Sequence, residues 1–215
     1  MQTSSSSLVL RGISSMATKA LLNDLTQAYQ AHTGVSVQIE SVGGVDAAKR
    51  VQAGEVFDMV LLASDAIDKL IASGHVMAGS RSDWVRSPVA LAVQAGAARP
   101  DLSNEAALKA AVLASPTLSY STGPSGVYLE KLFDRWGIAD EVKARIVVPP
   151  PGTPVGALVA SGKAALGFQQ LSELIALPGI DVLGTLPADV AFITTLSSGI
   201  PSYCVAFHPW PPRPC

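Results

Sequence analysis

The sequence has little that would support a metal centre or a disulfide framework. Only two cysteines occur in 215 residues, Cys204 and Cys215, and both lie close to the end of the chain. The three histidines, His32, His75 and His208, are scattered, with no cysteine or second histidine beside them. No spacing typical of a zinc site or a disulfide scaffold is present. The sequence therefore predicts neither a metal site nor a cofactor.

Positive charge and long apolar runs are also scarce. The 15 Lys and Arg residues face 17 Asp and Glu residues, which gives a net charge of −2 and no basic run. This balance argues against a nucleic-acid partner. No stretch reaches the roughly 18 uninterrupted apolar residues that a membrane span needs, so direct membrane insertion is not predicted. A bound anion would have to be held by local N–H groups and an arginine rather than by a positive surface.

The bulk composition indicates a well-packed globular protein. With 48% apolar residues, a chain of 215 residues can form one large α/β domain or two small lobes. The serine-rich residues 1–7 show neither the basic region nor the apolar region of a secretory signal. Two interpretations stay open: the chain is cytoplasmic, or residues 1–7 follow a signal that has been removed.

Residues 8–34 are the segment around which the chain is organised. Their pattern is typical of a strand, a loop, an amphipathic helix and a glycine cap. Ser14 and Ser15 are predicted to lie where the strand's carboxyl end meets the first turn of the helix. Free N–H groups and the positive end of the helix dipole favour an anion at such a point. The predicted apolar face of the helix comprises Ala20, Leu21, Leu25 and Tyr29.

Further turns of the same kind follow predicted strands. Gly43 and Gly44 come after the second strand and remove side chains where a backbone must approach a ligand closely. Ser64 follows the third, buried strand and is predicted first as a helix cap and second as a ligand group. Arg86 precedes the strand at residues 89–93, where a guanidinium could clamp a carboxylate. The alternative for Arg86 is an ordinary surface position.

The strongest local anion signal is the turn at residues 121–126. Thr122, Ser125 and Gly126 belong to this glycine- and hydroxyl-rich turn, which opens a predicted helix. It lacks the GK[ST] ending of a nucleotide-phosphate loop, so ATP or GTP is not implied. Gln170, at the carboxyl end of another predicted strand, could contact the same ligand. The proline-rich tail at residues 205–215 can form neither a helix nor an interior strand.

The order of these elements resembles the molybdate-binding, ModA-like branch of the type 2 periplasmic solute-binding proteins. The likeness covers about residues 8–202 and includes the Gly43-Gly44 turn, the Gly-Pro-Ser-Gly turn and residues 159–168. It implies a two-lobed α/β fold of the type 2 periplasmic binding protein class, with a ligand cleft between the lobes. We expect residues 8–86 with 190–204 in lobe 1, residues 87–189 in lobe 2, and an atypical tail at residues 205–215.

The resemblance also implies ligand contacts at Ser14 or Ser15, the Gly43-Gly44 turn, Ser125 and the turn that includes Val155. Two departures bear on the ligand. Molybdate binders usually have a Gly-Ser-Ser-Gly-like turn where this chain has Gly43-Gly44-Val45-Asp46, and usually offer a tyrosine hydroxyl where it has Gln170. Losing two donors would leave a molybdate oxygen poorly satisfied. An organic carboxylate, with Arg86 as its partner, is therefore the preferred ligand over a molybdate-like oxyanion.

Three functions follow from the resemblance. The first is capture of a small anion for the membrane subunits of an ABC transporter, which implies a periplasmic location. The second is an isomerase similar to aconitate isomerase, which moves a double bond in a tricarboxylate by proton transfer and needs a general base. The third, an effector domain of a regulator, would normally carry a helix-turn-helix. Asp46 and Asp65 are predicted as helix caps rather than bases, so no catalytic residue is assigned.

Overall fold

The computed structural model describes residues 9–150 and 152–203. These residues alternate between strands and helices, which confirms the predicted α/β class. They form two compact units: unit 1 comprises residues 9–85 and 195–203, and unit 2 comprises residues 86–194. Leu8, Cys204 and the tail at residues 205–215 lie outside the described residues.

Unit 1 is built on three parallel strands. The first strand pairs with the second on one side and the third on the other, and the end of the last strand of the chain pairs antiparallel with the third. Its strands are β1 (Val9–Ser15), β2 (Ser36–Val42), β3 (Met59–Ala63) and the second part of β8 (Ile193–Gly199). A 3₁₀ turn at Met16–Thr18 precedes its helices α1 (Lys19–Thr33), α2 (Gly44–Gln52) and α3 (Ser64–Ala72).

The core of unit 1 lies between β1, β3 and the helices α2 and α3. Ile13, Val60 and Ile67 are fully buried in it. The strand β3 is buried along most of its length, because helices cover a parallel sheet on both faces. Gly34 ends α1 in the left-handed conformation, with φ at 73°, which glycine adopts without steric cost. This packing holds the carboxyl ends of the parallel strands in fixed positions.

Unit 2 has a sheet of mixed direction. Its strands lie in the order β5 (Leu118–Tyr120), β6 (Leu166–Gln170), β4 (Ser82–Gln94) and β7 (Ile180–Thr185), and only β5 and β6 are parallel neighbours. Its helices are α4 (Glu105–Ala114), α5 (Pro124–Arg135), α6 (Ala139–Lys143), α7 (Val155–Ala160) and α8 (Leu171–Leu174), with a 3₁₀ turn at Ala188–Val190. The largest core cluster includes Leu91, Leu129 and Phe168. The chain passes between the two units within β4 and within β8.

The predicted apolar face of α1 is wrong as a buried face. Leu21, Leu25 and Tyr29 are 40%, 47% and 47% exposed, and Ala20 is exposed as well. Leu22, which the pattern did not select, is the buried residue of this helix among those described. The side of the helix that packs against β2 is therefore narrower than its apolar stripe. Periodicity shows where apolar residues lie around a helix but not which elements cover them.

Ser14 and Ser15 are the last residues of β1, directly before the 3₁₀ turn, which agrees with their predicted place at the strand's carboxyl end. Other predicted boundaries shift. Ala63 is the N-cap residue of α3, so Ser64 is the first helical residue and makes no side-chain cap. The strand predicted at residues 89–93 extends over Ser82–Gln94. One further parallel bridge, outside the strands, joins Leu118 and Ile146.

Candidate functional site

The carboxyl ends of β1, β2 and β3 lie at one end of the unit 1 sheet, because the three strands are parallel. We call this end the unit 1 rim. It comprises residues 14–15, 42–44 and 63–64. Five of the sequence-predicted site residues lie in it: Ser14, Ser15, Gly43, Gly44 and Ser64.

The two serines of β1 have different hydrogen-bonding states. The Ser14 hydroxyl lies 2.8 Å from the Ser41 hydroxyl and 3.2 Å from the Ser15 carbonyl oxygen, so it is satisfied within the protein. The Ser15 hydroxyl is buried and has no partner among the described residues. A Cβ atom at Gly44 would lie 3.6 Å from the Ser15 Cβ. Ser15 is therefore the serine left available beside the start of α2.

The start of α2 supplies donors to the unit 1 rim. Gly43 is its N-cap residue, and the first N–H groups of the helix have no carbonyl partner within it. The Asp46 carboxylate turns back toward this start: a Cβ at Gly43 would lie 3.1 Å from its Oδ2. Asp46 is exposed and favoured there by the helix dipole. A bound anion would therefore share the start of α2 with one carboxylate of the protein.

The corresponding end of the unit 2 sheet is the unit 2 rim. It comprises residues 121–126 after β5, residues 153–155 before α7, and residues 169–173 at the end of β6. Residues 146–148 run parallel to β5, with the Val147 N–H donating to the Leu118 carbonyl at 2.7 Å, so the chain that follows leads to the same end. The rim therefore collects Thr122, Ser125, Gly126, Val155 and Gln170.

The turn before α5 is tightly packed. The Ser125 and Ser121 hydroxyls are 2.8 Å apart, and Ser125 is 1% exposed. Thr122 is exposed. A side chain at Gly126 would collide with the Ser121 carbonyl oxygen, so this position requires glycine. Ser121, which was not predicted as a site residue, fixes the orientation of Ser125.

Gln170 combines a short hydrogen bond with an unsatisfied atom. Its Nε2 donates to Thr194 Oγ1 at 2.5 Å, while its Oε1 is buried and has no partner among the described residues. Val89 pairs with Gln170, so Arg86 extends beyond the carboxyl end of β6. Arg86 is exposed, and the structure gives its guanidinium no hydrogen bond or ion pair within residues 9–150 and 152–203. An anion could bind it without displacing a carboxylate described here.

Gln169 and Glu173 form a contact that the sequence reasoning missed. Gln169 Oε1 accepts from the Gly156 N–H at 3.3 Å, next to the buried Val155, and Gln169 Nε2 donates to Glu173 Oε2 at 2.6 Å. Burial raises the pKa of Glu173 to about 7, with the Gln169 hydrogen bond acting in the opposite direction. The signal for this pair was the four-residue spacing between an amide and a carboxylate at the start of a helix.

Neither a metal centre nor a membrane span is found in the part of the chain that the structure describes. No group of three or more His, Cys, Asp or Glu side chains there could hold a metal ion. None of the described helices has the length and apolar character needed to cross a bilayer. The chemistry at both rims therefore consists of N–H groups, hydroxyls, side-chain amides, an arginine and a few carboxyl groups.

Comparison with known proteins identifies the family. The bacterial extracellular solute-binding proteins match residues 10–205 of this chain. The chain belongs to this family. Its fold is that of the ModA-like, type 2 solute-binding proteins, as the order of its elements predicted.

Two solved structures show the same fold. The periplasmic molybdate-binding protein of Azotobacter vinelandii is 22% identical, with a TM-score of 0.70 over 90% of this chain and 85% of that one. The tungstate-binding protein TupA of Desulfovibrio alaskensis is 17% identical, with a TM-score of 0.61 over 93% and 84%. At these identities the likeness establishes the fold of the solute-binding protein.

A curated relative is much more similar in sequence. The aconitate isomerase of a Pseudomonas species is 43% identical to this solute-binding protein over 195 residues, which cover 87% of this chain and 73% of the relative. The likeness therefore extends over most of this chain.

Proposed function

We propose that this solute-binding protein binds a small polycarboxylate and interconverts its cis and trans double-bond isomers. The geometric observation that supports the binding is a buried, unpartnered atom at each rim, Ser15 Oγ in unit 1 and Gln170 Oε1 in unit 2. A buried polar atom without a partner costs free energy, so each is a position where a ligand would restore a hydrogen bond. The 43% identity to an aconitate isomerase supports the reaction.

The Gln170 amide can contact an ionised ligand in only one of its two orientations. As placed, its unpartnered Oε1 can only accept a hydrogen bond, which neither an ionised carboxylate nor an ionised oxyanion can donate. Turning the amide over would let Oε1 accept from the Thr194 hydroxyl and would aim Nε2 at the ligand. That donor could meet a carboxylate oxygen, and the 43% identity to an aconitate isomerase supports a carboxylate as the ligand. The exposed Arg86 could clamp a further carboxylate in two parallel hydrogen bonds.

Capture of the anion for an ABC transporter is the second candidate. The family's description as extracellular solute-binding proteins supports it, and it would place the protein in the periplasm. Such a protein would bind the same carboxylate and release it unchanged. The two candidates therefore differ in turnover and not in ligand class.

One pair of measurements tests both. A thermal-shift screen would compare cis-aconitate, trans-aconitate and tricarballylate with molybdate, tungstate, sulfate and phosphate. A ligand present at about one hundred times its Kd should stabilise the protein by about 2.7 kcal/mol. Absorbance and proton NMR would then follow interconversion of the aconitate isomers. Carboxylate binding with turnover supports the isomerase, binding without turnover supports capture, and stabilisation by molybdate alone refutes the proposed ligand.

A further inference from the structure

A double-bond shift in a polycarboxylate needs a group that removes a proton from one carbon and returns it to another. At the unit 1 rim the carboxyl groups are Asp46 and Asp65, both exposed in first helical turns. Asp65 also lies 3.6 Å from Lys69, within ion-pair distance. At the unit 2 rim, among described residues, the carboxyl group is Glu173, which is partly buried. The environment of Glu173 therefore differs in kind from that of the two aspartates.

The position of Glu173 is fixed by hydrogen bonds. Its Oε2 accepts from Gln169 Nε2 at 2.6 Å, and Gln169, 3% exposed, is held in turn by the Gly156 N–H. The structure gives Glu173 Oε1 no hydrogen bond within the described ranges, and the side chain retains some exposure. One oxygen anchors the carboxyl group and the other stays available. Glu173 is the third residue of α8, which begins directly after Gln170 at the end of β6.

The acidity of this group suits proton transfer in both directions. Burial raises the pKa of Glu173 to about 7, and no charged side chain contributes to the shift. Near neutral pH the carboxyl group therefore exists in comparable amounts with and without its proton. A general base is most effective when its pKa lies close to the working pH. An exposed carboxylate at its ordinary pKa would be a much weaker base toward a C–H bond.

We propose, resting on the isomerase function above, that Glu173 is the catalytic acid–base group. Its carboxylate removes a proton from the methylene carbon of bound aconitate, and the electron pair of that C–H bond becomes the new C=C bond. The former π pair takes a proton from the Glu173 carboxyl at the original vinyl carbon, and exchange of that carboxyl proton with D₂O during the step gives deuterium uptake. One C–H bond breaks and one forms, so the step needs no oxidant, reductant or co-reactant.

The rest of the unit 2 rim has a matching role. Removing the methylene proton spreads negative charge onto the adjoining carboxylate, and donors aimed at that group lower the barrier. The Ser125 N–H at the start of α5 and, with its amide turned over, the Gln170 Nε2 would supply such donors. Gln169 is a positioning residue, because it contacts Glu173 rather than the ligand. Its hydrogen bond keeps the anchored oxygen away from solvent.

The test compares three variants with the wild type. Glu173→Gln keeps the shape and can still accept from Gln169, but it cannot carry the proton. Glu173→Asp keeps the carboxyl on a shorter side chain. Glu141→Gln makes the same charge change at an exposed ion pair with Arg145 in unit 2 and serves as the matched control. Each protein is assayed for isomer interconversion, for deuterium uptake into aconitate in D₂O, for the pH profile of kcat, and for the thermal shift with aconitate.

We expect Glu173→Gln to lose at least about 100-fold in kcat and in deuterium uptake while keeping its aconitate-dependent thermal shift. Glu173→Asp should recover part of the activity, and Glu141→Gln should match the wild type. Wild-type activity should rise with pH through a pKa near 7, the raised pKa of Glu173. Retained turnover in Glu173→Gln with an unchanged pH profile overturns the role of Glu173 and leaves the isomerase proposal standing. Complete inertness of the wild type toward both isomers overturns both.

Discussion

Replacing Gly126 by alanine tests the packing of the unit 2 rim. A Cβ atom at this position would lie 1.7 Å from the Ser121 carbonyl oxygen and 3.1 Å from Tyr120 Cδ2. Backbone atoms cannot rotate away as a flexible side chain can, so the turn at residues 121–123 must move away from α5. Forcing an extra carbon into a well-packed region typically costs about 1–3 kcal/mol, and this contact is severe enough for the upper end or beyond. The movement should also separate the Ser121 and Ser125 hydroxyls.

The assay is thermal unfolding followed by circular dichroism, with and without aconitate. At about 2–4 °C for each kcal/mol in a chain of this size, Gly126→Ala should lower the melting temperature by about 6–12 °C. Gly123→Ala is the matched control in the same turn, where a Cβ would be 3.7 Å from the Ser121 hydroxyl oxygen and φ is −86°. It should cost less than about 1 kcal/mol, since only the N-cap preference changes. A Gly126→Ala protein that melts within about 2 °C of the wild type would refute this packing.

Four further substitutions are expected to change stability in different directions or by different amounts. Ser15→Ala removes a buried unpartnered hydroxyl, so the ligand-free variant should be as stable as the wild type or up to about 1 kcal/mol more stable. The same substitution should weaken aconitate binding, as measured by calorimetry. Urea unfolding should show wild-type stability falling, relative to Glu173→Gln, as the pH rises from about 4.5 to about 7. In this range the folded wild type keeps the Glu173 proton that the unfolded chain releases. In urea unfolding, Leu22→Ala should lower the free energy of unfolding by about 2–5 kcal/mol, and Leu25→Ala should lower it by less than about 0.5 kcal/mol.

A specific result would contradict each of these predictions. Stronger aconitate binding by the Ser15 variant would remove that hydroxyl from the ligand contacts. A pH-independent difference between wild type and Glu173→Gln would mean that the carboxyl titrates alike in the folded and unfolded chain. Equal losses for Leu22 and Leu25 would show that the stripe on α1 is covered in solution. The last outcome would restore the helix face expected from the sequence.

The order of strands and helices could be predicted because each is encoded locally. In unit 1, buried apolar runs followed by small or polar residues gave the three parallel strands, and glycine gave the end of α1. Their shared direction then placed the strand ends at one rim without any knowledge of tertiary contacts. The positions of Gly43, Gly44 and Ser125 after the strand ends were therefore predictable from the sequence, while their role as ligand contacts stays a prediction.

What covers a helix face could not be predicted in the same way. The stripe of Leu21, Leu25 and Tyr29 has the period of a buried face, yet Leu22 is the residue that packs inward. Periodicity reports where apolar atoms lie around a helix, while burial depends on the elements that the fold brings against it. The pair Gln169 and Glu173 was missed for a related reason. Its significance depends on burial at the end of β6, which raises the pKa of the carboxyl group.

The two adjacent serines at the end of β1 show the limit most clearly. By sequence they are equivalent, and either could have met a ligand. In a pleated strand successive side chains point to opposite faces, and the pairing of β1 with β2 sets Ser14 opposite Ser41 and Ser15 opposite Val42. Ser14 therefore finds a hydroxyl partner and Ser15 does not. The register of a neighbouring strand decides which hydroxyl is left for a ligand, and register is a property of the folded sheet.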